Sequence, residues 1–89
     1  MRFKAQGASA AAGTSSGASS NVELATEVLA VNTAASGTVH LVTVTNSGGT
    51  TLGSFNLPGQ SDVVLVKGSS DKVFAANAAV TLTPINTRV

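Results

Sequence analysis

Thr38-Val39-His40-Leu41-Val42-Thr43-Val44-Thr45 runs into Asn46-Ser47-Gly48-Gly49, and then into Thr50-Thr51-Leu52-Gly53-Ser54-Phe55-Asn56-Leu57. The first run is dense in Val and Thr, whose branching at Cβ suits a pleated strand better than a helix. Its apolar residues occupy both parities, which predicts a central strand covered on both faces. The glycines of the second run accept positive φ, so a hairpin is expected there. The third run returns as a strand with Phe55 and Leu57 on one face, and Gly53 leaves room for a bulge or a close crossing.

Toward the C-terminus, Pro58-Gly59 fits the middle of a type II turn. Asp62-Val63-Val64-Leu65-Val66-Lys67 reads as an internal strand, because its aliphatic run is continuous. Gly68–Asp71 should reverse the chain before Lys72-Val73-Phe74-Ala75, and Ala79-Val80-Thr81-Leu82-Thr83 makes a last alternating strand. Pro84 removes a backbone donor and places that strand at an edge or terminus. Toward the N-terminus, Val22 to Val28 alternates as a strand, with Val22, Leu24, Thr26 and Val28 on one side. Leu29 and Val31 then take the other parity, as a bulge or a strand between two packed surfaces would require. Asn32 to Gly37 is punctuation. The expectation is an all-β fold, a small sandwich or partly open barrel of six or seven short strands over residues 21–89. A doubly wound α/β domain does not fit this order.

Residues 5–20 hold Ala, Gly, Ser, Thr and one Gln, with no large apolar side chain. Such a segment has little to bury in return for its order, so residues 1–20 read as a flexible Ala/Gly/Ser-rich arm. Its small side chains let it lie close along a neighbouring surface.

The composition limits the rest. Of 89 residues, 43% are hydrophobic, but 14 are alanines, and only 10% are charged. That suits one small domain and excludes a coiled coil, a charge-driven disordered chain and a membrane-spanning helix. A chain this size buries only about 60% of its extended surface, so disulfides, a metal or a partner usually complete its stability. There is no Cys, one His and four carboxylates. Disulfides and thiolate metal sites are thereby excluded, and oligomerisation is the expected remedy. The missing cysteines leave the redox compartment open.

The formal charge is +1, and only Arg2 and Lys4 lie close together among the basic residues. No nucleic-acid or membrane partner is expected from so sparse a charge. Met1-Arg2-Phe3-Lys4 has the charge of a secretory leader, but residues 5–13 lack its apolar segment, so export by that route is not expected.

No constellation of reactive groups emerges. His40 lies in a predicted strand without a neighbouring acid. Glu23 and Glu27 would share a strand face but stand about 13 Å apart, too far for paired-carboxylate work along one strand. Asp62 and Asp71 suit strand ends and turns. Lys67 and Lys72 bracket a predicted turn as exposed charges, weakly paired with Asp71. Phe55 and Phe74 are expected in the core. No catalytic, cofactor-binding or metal-ligating residue is assigned, no cofactor is expected, and the chain does not read as an enzyme.

Gly53-Ser54-Phe55-Asn56-Leu57-Pro58-Gly59, Val63-Val64-Leu65-Val66-Lys67, Asp71-Lys72-Val73-Phe74-Ala75-Ala76 and Ala79-Val80-Thr81-Leu82-Thr83-Pro84-Ile85 together resemble small β-rich structural proteins of tailed bacteriophage virions. The resemblance covers residues 53–85. It implies capsid decoration or cementing, on the capsid exterior of the virion. It implies the major capsid protein or other virion subunits as partners, together with copies of the chain itself. A neck or tail component is the alternative location. A glycan-binding adhesion module is a different alternative, disfavoured by the absence of Trp and Tyr.

Overall fold

Residues 2–88 are described by a computed structural model. Among them run eight short strands: β1 (Lys4–Ala5), β2 (Ala10–Ala11), β3 (Glu27–Asn32), β4 (His40–Thr45), β5 (Thr51–Leu57), β6 (Ser61–Val66), β7 (Lys72–Ala75) and β8 (Val80–Asn86). All pairings are antiparallel. One sheet has the order β1-β8-β3-β6, with β2 also on β8, and the other has the order β5-β4-β7. The fold is thus all-β in two sheets, and it is not closed into a barrel. Strict alternation places Val28 and Ala30, Val80 and Leu82, Val42, and Val73 and Ala75 in one shared apolar core. Small Val and Ala side chains dominate that core, as the composition requires.

The β4–β5 hairpin forms as its residues demand. Asn46 holds the turn by accepting the N–H groups of Gly48 and Thr50 on Oδ1, and Gly49 takes φ of 91°. β4 is central, and its register to β5 shifts between Val44 and Thr45, so that Leu52 is the extra residue of a bulge beside Gly53. The Pro58–Gly59 turn differs from expectation. The left-handed residue is Gln60, at φ 62°, and Gly59 is instead needed for space, since a Cβ there would overlap the carbonyl of Ala35.

The strand expected from Val22 begins only at Glu27. Val22, Glu23 and Leu24 take φ of 52°, 57° and 61°, a left-handed turn that side chains resist. Burial of Val22 in the core and the bond from Ala25 N–H to Val22 O hold it. β3 itself carries no bulge, because its pairing with β6 and β8 is unbroken from Val28 to Asn32. Leu29 and Val31 simply face outward from that sheet, half-buried.

The count rises from six or seven strands to eight because residues 2–20, expected as a separate flexible arm, lie against the body. Lys4 and Ala5 pair with Asn86 and Ile85, and Ala10 and Ala11 pair with Leu82 and Thr81. The segment then crosses to the other sheet, where Gly13 O accepts from Ala75 N–H and Ser20 exchanges two main-chain bonds with Val73. The division expected between residues 20 and 21 therefore has no counterpart in the pairing. Small side chains make this path possible: Ala12 is buried in the core, and a Cβ on Gly13 would overlap the main chain of Ala18.

Pro84 accordingly sits on a strand flanked on both sides, not at an edge. Its carbonyl accepts from Gln6 N–H at 2.8 Å. In an antiparallel ladder a residue's C=O and N–H point toward the same neighbour, so the missing donor faces the N-terminal segment and not β3. That is where the segment's pairing divides into β1 and β2.

Candidate functional site

The two flanks of the body differ. On one, residues 2–20 cover the free sides of both β8 and β7. On the other, β5 and β6 end their sheets with no strand beyond them among the described residues. β6 carries the continuous aliphatic run that predicts an interior position, yet it is an edge strand. Val63 keeps 38% of its surface exposed and Val66 keeps 74%. An uncovered apolar edge of this kind is a ready template for another strand.

The hydrogen-bond phase defines what that edge offers. Lys67 N–H donates to Thr26 O across the β3–β6 ladder at 2.9 Å. By alternation, Val63 and Leu65 turn their main-chain groups toward β3, while those of Asp62, Val64 and Val66 face away from it. The side chains follow a second alternation. Leu65 packs against the core cluster opposite Val28, and Val64 lies on the outer face opposite Leu29. Asp62 lies opposite Val31 and supplies the only charge within β6.

A cleft of about 760 Å³ opens near the Val66 end of β6, with Glu23, Leu24, Glu27, Pro84 and Arg88 among its lining. Glu23 and Glu27, expected as strand neighbours, reach it from the left-handed turn and from the start of β3. The Glu27 carboxylate is committed to Thr87, accepting its hydroxyl on Oε2 and its backbone N–H on Oε1 at 3.2 Å. Those bonds, chiefly the hydroxyl, hold Glu27 below the usual glutamate range against the opposing effect of desolvation, and the Arg88 charge makes a lesser addition to them. The pairing ties the start of β3 to the chain after β8.

Lys67 departs furthest from its expected role. It is only 7% exposed, and its Nζ donates to three backbone carbonyls: Asn21 at 2.9 Å, Gly68 at 3.1 Å and Ser69 at 3.3 Å. Removal from water lowers its proton affinity, and the Asp71 charge opposes that shift. The Asp71 carboxylate itself accepts from Gly68 N–H at 3.0 Å. Lys67 therefore clamps the base of the left-handed turn and is no exposed partner of Lys72. Parity was the available signal, since Lys67 continues the inward series of Val63 and Leu65.

His40 lies on β4 opposite Leu57, in the sheet that does not contain Asp62, and it is not part of the cleft lining. Among the described residues, no group of three His, Asp or Glu side chains comes together as a metal site. Phe55 packs against the core as expected. Phe74 does not: Val73 and Ala75 take the core side of β7, so Phe74 faces outward opposite Thr43.

Comparison with protein-family models, with curated proteins and with solved structures finds no match to this chain.

Proposed function

We propose that this chain is a structural subunit of a larger particle, a small β-sandwich that binds neighbouring protein subunits. The observation that carries the reading is the position of Val63-Val64-Leu65-Val66 at an uncovered strand edge, with Val66 74% exposed. A small body with a Val/Ala core gains from burying such an edge against a neighbour. Strand addition supplies directional main-chain bonds without needing a reactive pocket. The resemblance of residues 53–85 to tailed-phage virion proteins favours a bacteriophage capsid as the particle, with this chain decorating or cementing its exterior. The reading assigns the chain no reaction.

The test is a density map of mature particles from the source that encodes the chain, with protein identification on the same preparation. Decoration predicts many copies following the symmetry of the shell. A ring of few copies at one vertex would place the chain in the neck or tail. Consistent absence from mature particles would defeat both locations.

A further inference from the structure

We propose that two copies of this chain associate through β6, which pairs antiparallel with β6 of a second copy about a two-fold axis at Val64. Four strand sides bound the two sheets, and they are not equivalent. Residues 2–20 line β7, and along β8 they form one of these sides themselves, as the two-residue strands β1 and β2, too short to template a longer strand. The side of β5 is broken by the Leu52 bulge, a common device against strand addition. β6 alone is straight, paired residue for residue with β3 from Glu27–Val66 to Asn32–Ser61. It contains no Pro, Lys or Arg, and its one guarding charge, Asp62, stands near its start, leaving Val63 to Val66 unguarded.

Hydrogen-bond phase and charge select the register. Outward main-chain groups belong to Asp62, Val64 and Val66, so these must meet outward groups of the second copy. With Val64 on the axis, Val64 meets its own equivalent, and Asp62 meets Val66 of the second copy. Val63 then meets Leu65 of the second copy on the core side, which gives the exposed Val63 side chain an apolar cross-strand neighbour. Moving the axis to Asp62 would set two carboxylates directly opposite each other. The Val64 register avoids that contact and pairs Asp62 through Val66 within β6, whereas an axis at Val63, equal in hydrogen-bond phase, would make the two Asp62 carboxylates diagonal neighbours. A formal charge of only +1 per chain adds little repulsion between copies. Self-pairing through β6 does not depend on the particle assignment made above.

The full-length chain tests this directly. Sedimentation over a concentration series should show a monomer–dimer equilibrium. A Val64→Lys variant, which places two ammonium groups on the axis, should weaken it by at least about tenfold with an unchanged far-ultraviolet circular dichroism spectrum. The chain has no Cys, so Val64→Cys introduces a single thiol. Across a hydrogen-bonded antiparallel pair its Cα lies about 5.5 Å from its equivalent, within disulfide reach. Oxidation should therefore lock the dimer, whereas Val39→Cys, an exposed position ahead of β4, should not. Should Val64→Lys fail to fold, amide exchange of the wild type decides, because the Val64 and Val66 amides become protected only when this edge is paired. A wild type that stays monomeric overturns the proposal. So does a dimer that Val64→Lys leaves intact, that Val64→Cys does not lock, or whose Val64 and Val66 amides exchange freely.

Discussion

The side-chain amide of Asn32 donates to the carbonyl of Leu57 at 2.8 Å, joining the last residue of β3 to the last residue of β5 in the opposite sheet. The same Nδ2 donates to Thr38 O at 3.1 Å, and Oδ1 accepts from Ala34 N–H at 3.0 Å. Asn32 is fully buried, and its own carbonyl accepts from Gln60 N–H. One side chain thus fixes the end of β3, the approach to β4 and the corner between β5 and β6. The uncovered flank is organised from this point.

Replacing Asn32 with Ala removes the donor from the Leu57 and Thr38 carbonyls and the acceptor from Ala34 N–H. Each buried group left without a partner costs about 1–3 kcal/mol. We expect Asn32→Ala to lower unfolding free energy by at least about 2 kcal/mol, read from urea denaturation. A loss within experimental error of zero would show that solvent replaces these bonds.

The Glu27–Thr87 contact makes a prediction in acid. Glu27 is held below the usual glutamate range chiefly by the Thr87 hydroxyl. Its folded pKa is thus depressed, so the associated stability is present above the unfolded value and lost as pH falls through the folded one. A carboxyl titration followed by nuclear magnetic resonance should show Glu27 titrating low in the wild type. Thr87→Val should move it up toward the ordinary range and flatten the acid side of the stability profile. An unmoved titration would remove the hydroxyl as the cause.

Lys67 works at the other end of the pH scale. Burial lowers its proton affinity in the folded chain, so between the folded and unfolded pKa values the unfolded chain binds more protons. Stability should therefore rise with pH through that alkaline window, and be lost as pH falls back through the folded pKa. Urea midpoints measured across the window should climb more steeply in the wild type than in Lys67→Met. The reverse order would mean that the three carbonyls, with Asp71, favour the ammonium form more than burial disfavours it.

Local pattern and turn chemistry determine much of this fold, and those parts were legible. The β4–β5 hairpin and the strands β6 to β8 follow from branched residues, glycines and alternation, and the bulge beside Gly53 is one of the two readings that glycine left open. Three features depend on partners distant in sequence. Residues 4–13 show no apolar periodicity because their order comes from main-chain pairing with β8 and from closeness that Ala12 and Gly13 allow. Val22 to Leu24 alternates like a strand, yet burial of Val22 and the Lys67 bond to Asn21 O turn the chain there. β6 looks interior because its aliphatic run is complete, but covering its second side would need a strand that the described chain does not supply. The candidate surface was legible in its residues and hidden in its position. Asn32 and Lys67 each share parity with core residues of their strands, the one signal that marks a polar side chain as inward.

The left-handed turn offers a stabilising substitution. Leu24 takes φ of 61° and leaves 59% of its surface exposed, so it meets the steric resistance of that region while contributing little burial. A left-handed conformation costs a side-chain-bearing residue about 1–2 kcal/mol, which glycine escapes, although glycine loses about 0.5–1 kcal/mol more chain entropy on folding. Leu24→Gly should therefore raise the unfolding free energy by up to about 1.5 kcal/mol. Val22→Gly should do the opposite, because Val22 is buried in the core and its loss removes about 1.5–3 kcal/mol of burial. Paired urea titrations of the two variants separate backbone strain from packing within one turn. If Leu24→Gly destabilises as much as Val22→Gly, the Leu24 side chain has a contact that outweighs its strain, and the adjoining cleft, which it lines, is where that contact would lie.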